Sequence, residues 1–195
     1  MLEKIEEYAK INNVPIMQKD GIEYLCNLIK EKKIKRILEI GSAIGYSAVK
    51  MALVDKDIKV VTIEKDIDRY NEAVKNIKLF NLDKQIDIIL DDALNTKIDD
   101  EFDLIFIDAS KGNNINFFNK YKENLAKNGI IVTDNLSFHG LVENPELAIT
   151  RNQRGLVKRI NSFIDFLDNN HEFITEYVSV GDKISISQRG DIHEV

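Results

Sequence analysis

From Arg36 onward the chain repeats one pattern, a short continuous apolar run followed by a segment of helical period, and this alternation admits few folds. Runs of this kind are strands buried on both faces, which belong in a parallel sheet with helical crossovers. They are Arg36 to Ile40, Lys59 to Glu64, Ile86 to Leu90, Asp103 to Asp108 and Gly129 to Asp134. Between the second and third runs, Ile67, Tyr70, Val74 and Ile77 form an apolar stripe that predicts a helix facing the sheet. Two further β-type runs, Phe173 to Val180 and Lys183 to Gln188, flank Gly181-Asp182, a two-residue hairpin signal. The sheet is therefore expected to end in an antiparallel pair. Residues 1–33 read as a helical segment packed on the domain, and no linker or repeat divides the chain. One doubly wound α/β domain over 1–195 is the expectation.

Composition narrows the function. The net charge of -6 disfavours coating of nucleic acid or acidic membranes through bulk charge, although a local basic patch stays open. The single cysteine, Cys26, excludes an intrachain disulfide and a paired-thiolate metal site. No apolar stretch has signal-peptide or membrane-spanning character, so a cytoplasmic location and no membrane partner are expected.

The first strand ends Glu39-Ile40-Gly41 and runs through Ser42-Ala43-Ile44-Gly45 into Tyr46-Ser47. A glycine turn at a strand's carboxyl end lies where open α/β sheets bind ligands. Glu64 closes the second strand 23 residues after Gly41, where a carboxylate accepts hydrogen bonds from ribose hydroxyls. The spacing is Gly-x-x-x-Gly rather than G-x-G-x-x-G, so a nucleoside without a pyrophosphate fits better than NAD. Asp91-Asp92-Ala93 after the third strand offers a carboxylate to an adenine amino group, or is simply a solvated acidic loop.

Asp108 ends the fourth run, and Asp134-Asn135 ends the fifth. Two carboxylates and an amide oxygen at adjacent strand ends are a hard-oxygen set suited to Mg²⁺ or another divalent cation. The competing reading is that both aspartates cap following helices.

EIGSAIGYS at 39–47, Glu64, Asp92-Ala93, IDASK at 107–111 and TDN at 133–135 resemble, in this order, the class I catechol and caffeoyl-CoA type O-methyltransferase family. The likeness covers nearly the whole chain. NNVPIM at 12–17, DNLSFHGLV at 134–142 and VGDKISIS at 180–187 are similar to its bacterial tRNA 5-hydroxyuridine methyltransferase branch. The resemblance implies a seven-stranded Rossmann-like sheet, a homodimer and S-adenosylmethionine as cofactor, held by Met17, Glu39, Gly41, Ser47, Glu64, Asp92, Ala93 and Asp108. It further implies a metal on Asp108, Asp134 and Asn135, with Asp108 and Lys111 as catalytic groups and Lys111 as the base near the substrate hydroxyl. From the residues alone, Met17 reads equally as core and Lys111 as a surface lysine.

Substrate class rests on 151–169. Leu156, Val157, Ile160, Phe163, Ile164 and Leu167 share one helix face, with Arg151, Arg154 and Lys158 opposite. That basic stripe is an ordinary solvated face or a set of phosphate contacts for an RNA whose unpaired base enters the site. A tRNA anticodon loop is the first expectation, a small catechol-type phenol the second, and a non-catalytic cofactor- or RNA-binding relative the third. The chain departs from the resemblance at Asp91, where the family has glycine, at His139, where the tRNA branch has lysine, and in a thinner arginine run. It also begins late relative to the family's N-terminal helical extension.

Overall fold

A computed structural model describes residues 1–109 and 111–190, with the side chain of Lys111 outside the description. Its strands are β1 (Arg36–Ile40), β2 (Lys59–Glu64), β3 (Ile86–Leu90), β4 (Phe102–Ile107), β5 (Leu125–Thr133), β6 (Phe173–Val178) and β7 (Ile184–Arg189). The helices are α1 (Leu2–Ile11), α2 (Lys19–Glu31), α3 (Tyr46–Ala52), α4 (Ile67–Leu79), α5 (Asn114–Tyr121) and α6 (Arg151–Asp168). The sheet runs β3-β2-β1-β4-β5-β7-β6; the first five strands are parallel, and β7 lies antiparallel to both neighbours. This is the Rossmann-like arrangement expected, and strand order reverses between β1 and β4, where such sheets open a crevice.

Alternation along the central strands divides two cores. Ile37, Leu104, Phe106, Ile130 and Val132 face α1, α2 and α3, while Leu38, Ile40, Ile105, Ile107 and Ile131 face α5 and α6. Phe118 sits at the centre of the second core, edge-on to Phe163, Phe166 and Phe173. Both faces are covered, which is why these strands read as continuous apolar runs.

Three expectations shift. Strand β5 begins at Leu125, because Leu125 pairs with Phe102 before a register break, and its polar Lys127 and Asn128 are exposed and hid the strand in sequence. The α4 stripe turns: Ile67 is exposed, and Ala73, Asn76 and Ile77 form the buried face. Its first turn, capped by Asp66, contributes no residue to the buried face. The hairpin loop spans 179–183 rather than two residues, with Gly181 and Lys183 at positive φ, because it docks on neighbouring loops instead of turning tightly. Among the described residues no helix is long and apolar enough to cross a membrane.

The turn after β1 is built for close approach. Gly41 has φ +92°, and a Cβ there would lie 2.6 Å from the Asp108 carbonyl oxygen. Gly45, at φ +79°, packs on Ala73, and the Asn76 amide donates to the Ile44 carbonyl at 2.9 Å. Small and polar residues on α4 thus let the turn sit against it. Gly41→Ala should lower unfolding stability by about 1–3 kcal/mol, read from urea denaturation, since it adds both a clash and an unfavourable φ.

Candidate active site

The cleft opens at the carboxyl ends of β1, β2, β4 and β5, with a volume of about 810 Å³. One half is built on the turn after β1. Glu64 fixes that turn, accepting from the Ala43 N–H at 2.8 Å and from the Asp66 N–H at 2.9 Å, while lining the cleft wall. Next to it, Asp91 accepts from the Asp92 N–H and the Thr96 hydroxyl, and Asp92 from the Leu94 N–H. The Ala93 carbonyl is held by Tyr121 and Lys120. The acidic tripeptide is thus an ordered turn with internal partners, and Asp91, Asp92 and Ala93 all line the cleft.

The other half lies across Gly41. Ile107 and Thr133 are register partners, so Asp108 and Asp134 leave adjacent parallel strands side by side. The Asn135 side-chain Nδ2 donates to Asp108 at 3.1 Å and to Asp134 at 3.0 Å. An amide nitrogen bridging two carboxylates stands where a divalent cation would be attracted, and turning the amide by 180° would present Oδ1 instead. The donor set of two carboxylates and an amide fits a hard cation that completes its shell with water and substrate. No cluster of three or more His, Cys, Asp or Glu side chains is placed to hold a metal among the described residues, so the amide is needed for a third ligand. The helix-cap alternative does not hold, because the N-cap positions of α5 and α6 are Asn113 and Thr150.

Beneath the floor, Glu39 is fully buried, accepting from Ser47 and from Thr62, the latter at 2.5 Å. Burial pushes its carboxyl up to about 7, opposed by those two hydroxyls and assisted by the nearby Asp108 and Glu64 charges.

The wall formed by 135–140 is conformationally costly, with Asn135, Phe138, His139 and Gly140 all at positive φ. The 179–183 loop holds it there. Leu136 N–H donates to the Lys183 carbonyl, Ser137 N–H to the Asp182 carbonyl, both at 2.9 Å, and His139 N–H to Asp182 Oδ1 at 2.6 Å. Asp182 is buried, and its Oδ2 has no hydrogen-bond partner. The 179–183 loop is in turn anchored to the start of α2, where Asp20 accepts from the Gly181 N–H at 3.0 Å.

Among the residues expected from sequence, Gly41, Glu64, Asp92, Ala93, Asp108 and Asn135 line the cleft, and Asp134 is buried behind them. Glu39 and Ser47 lie below the floor. Met17 is in the core against Gly21, and the wall there is Pro15 and Ile16 instead, because the segment after α1 turns Met17 inward. Lys111 opens a 3-10 turn after β4, but its side chain is outside the described residues. Arg151, Arg154 and Lys158 are exposed away from the cleft; Arg154 and Lys158 border a separate groove, and Arg154 donates to the Ala148 and Ile149 carbonyls. Sequence reasoning missed Arg159, which lines the cleft with Leu156, one helix turn behind it. Its signal was its place at the edge of the apolar stripe. Asn113, Phe117, Lys65 and Arg69 were missed as well, as loop or helix-start residues without a motif, and Phe138 was given no role although it lies in the 134–142 segment.

A seven-stranded sheet in this order, with an oxygen-rich cleft at its strand ends, has the methyltransferase arrangement. The O-methyltransferase family profile matches residues 1–190, and the chain is a member of that family, an S-adenosylmethionine-dependent enzyme of the caffeoyl-CoA O-methyltransferase type. It is 28% identical over 180 residues to a caffeoyl-CoA O-methyltransferase of Stellaria longipes, covering 86% of this chain and 73% of that protein. A flavonoid 3',5'-methyltransferase of Vitis vinifera is 26% identical over 196 residues, covering 94% and 81%. Among solved structures, a candidate caffeoyl-CoA O-methyltransferase from Staphylococcus aureus superposes with TM-score 0.92 at 33% identity, covering 97% of this chain and 92% of that one. A Podospora anserina methyltransferase with S-adenosylhomocysteine bound gives 0.81 at 25%, covering 87% and 78%.

Two outcomes follow from this geometry. A carboxyl raised from 4.5 to about 7 binds more protons in the native state, so its contribution is complete at low pH and is lost as pH rises between those values. Glu39→Gln should remove that slope from unfolding stability measured at pH 5 to 8. Asp182→Ala should speed amide exchange at 136–140 by about tenfold or more, because one charged acceptor secures costly backbone. Asp182→Asn, which keeps an acceptor oxygen, should restore most protection.

Proposed function

We propose that the cleft binds S-adenosylmethionine between Glu64, the Gly41 turn and the Asp92-Ala93 turn, and that a substrate bearing two neighbouring oxygens docks against Asp108, Asp134 and Asn135. The observation that carries this reading is the juxtaposition of the two half-sites across Gly41, within one cavity. Glu64 is already oriented by two backbone N–H groups, so its remaining acceptor capacity meets a ribose diol without reorganisation. A divalent cation supplies charge stabilisation for the substrate oxyanion at neutral pH.

The reaction then needs little from the chain beyond positioning. Lys111, as the neutral amine, would take the proton of the substrate hydroxyl, and S-adenosylmethionine bound beside it would supply the methyl group, leaving as S-adenosylhomocysteine. Phe138, Phe117 and Leu156 line the cleft and keep water from the reacting atoms.

The substrate we favour is 5-hydroxyuridine at the wobble position of a tRNA anticodon loop, whose 4-carbonyl and 5-hydroxyl are the paired oxygens and whose product is 5-methoxyuridine. Support comes from the branch-like segments at 12–17, 134–142 and 180–187, which form the cleft wall and its clamp. Arg151, Arg154 and Lys158 lie outside the cleft on α6, where the backbone of an RNA with one base in the cleft would run. The second reading is a small phenol with vicinal oxygens. It is favoured by the plant relatives, which act on caffeoyl-CoA and flavonoids by name.

Excess chelator should abolish methyl transfer, and Asp134→Ala should lower kcat/KM by about a hundredfold. Purified protein is assayed on 5-hydroxyuridine-containing tRNA and on catechol. Methylation of tRNA with little catechol turnover bears out the first reading, and the reverse selects the second. Turnover that survives both chelator and Asp134→Ala rules out the metal-assisted mechanism.

A further inference from the structure

Most of the cleft's charge is negative, since Glu64, Asp91, Asp92 and Asp108 all line it. Among the described residues three cations stand against them. Lys65 and Arg69 lie at the β2–α4 junction beside Glu64, on the cofactor half, leaving Arg159 on the substrate half with Leu156, Phe138 and His139. The Arg159 side chain passes over two glycines: a Cβ on Gly112 would lie 3.5 Å from its Cδ, and one on Gly155 would lie 3.6 Å from its Nη2. Gly112 belongs to the 3-10 turn that follows Asp108, so the guanidinium is laid along the backbone leading from a metal-ligand position.

Three of the other five arginines are committed. Arg36 pairs with Asp100, Arg154 donates to the Ala148 and Ile149 carbonyls, and Arg189 binds Glu172 and two backbone carbonyls. Arg159 has no acceptor among the described residues, and two glycines clear the space it crosses. A planar, permanently charged fork in that state is suited to two oxygens of one anionic group. It also offsets the repulsion that an acid-lined cleft exerts on an anionic substrate.

We propose that Arg159 is the anion-recognition residue of the substrate site and holds a phosphate that the substrate carries near the oxygen to be methylated. This rests on the O-methyl-transfer reading above and specifies its substrate class. Arg159 acts on substrate affinity and leaves the cofactor half untouched, because Lys65, Arg69 and Glu64 lie on the opposite wall. The phosphate belongs to a free nucleotide or to the phosphodiester backbone of an RNA.

The test uses the full chain loaded with S-adenosylhomocysteine and Mg²⁺, as wild type, Arg159→Gln and Arg159→Lys. Calorimetry compares 5-hydroxyuridine with its 5'-monophosphate, and filter binding follows hydroxyuridine-containing tRNA over a salt series. Recognition of a free phosphate makes the monophosphate bind wild type about tenfold tighter than the nucleoside, an advantage that Arg159→Gln abolishes and Arg159→Lys partly keeps. Recognition of a phosphodiester shows instead as tRNA binding weakened about tenfold in Arg159→Gln, with the log-log salt slope flatter by roughly 0.7 to 0.9. S-adenosylhomocysteine affinity stays the same in all three proteins, which also reports intact folding. If Arg159→Gln changes neither the monophosphate advantage nor tRNA binding, or if wild type shows neither, the proposal is overturned. Methyl transfer to catechol and tRNA is scored separately in wild type. Transfer without an Arg159 effect strikes this proposal alone, whereas absence of chelator-sensitive transfer strikes the reaction itself.

Discussion

The approach of Gly41 to the Asp108 carbonyl is the contact on which the site depends. It joins the turn after β1 to the strand end that carries Asp108, and it brings them closer than a side chain would permit. Everything functional is arranged around this seam. Glu64 reaches the turn from β2, Asn135 reaches Asp108 from β5, and Glu39 lies under the floor on β1. Parallel pairing sets the strand ends level, so residues far apart in sequence emerge at one edge without long loops.

The site is also expensive to maintain. Five acidic groups, Glu39, Glu64, Asp92, Asp108 and Asp134, gather at one sheet edge, and the Glu39 carboxyl is raised mainly by its burial, with the Asp108 and Glu64 charges adding to it. The Asn135 amide donates to two of them at once. The 135–140 wall adds backbone cost, met by the hydrogen bonds of Asp182 and Lys183. Such concentrations of strain and like charge recur where a fold has to hold a ligand rather than only itself.

How much of this could be read from sequence depended on whether a residue's role followed from local pattern. Strands β1 and β2, in the interior of the sheet, are bounded where their apolar runs begin and end, and the edge strand β3 coincides with its run despite the exposed Asp87. The first half of β5 interrupts its run with Lys127 and Asn128, which face water beyond the helix layer, and it was invisible. Asp108, Asp134 and Asn135 were legible, since strand ends in a parallel sheet converge. Arg159 was not, because a helical wheel identifies the apolar stripe of α6 but does not say which of its flanks turns toward the strand ends. Arg154 and Lys158 had the clearer periodicity and lie outside the cleft. Met17 lies in the core, the alternative its place in an irregular segment left open, while Pro15 and Ile16 line the cleft.

The place of β7 in the sheet has a consequence for how the molecule is made. This last strand inserts between β5 and β6 rather than joining an outer edge. While a ribosome is still delivering residues beyond 180, β5 stands as an open edge rich in Ile130, Ile131 and Val132, and the 135–140 wall lacks its clamp. A nascent chain at that stage holds the Gly41 and Asp92 side of the cleft but not the fixed 135–140 wall. It also carries an unpaired apolar strand of the kind that recruits other chains. Competence and protection from aggregation therefore arrive together, with the final dozen residues of the sheet.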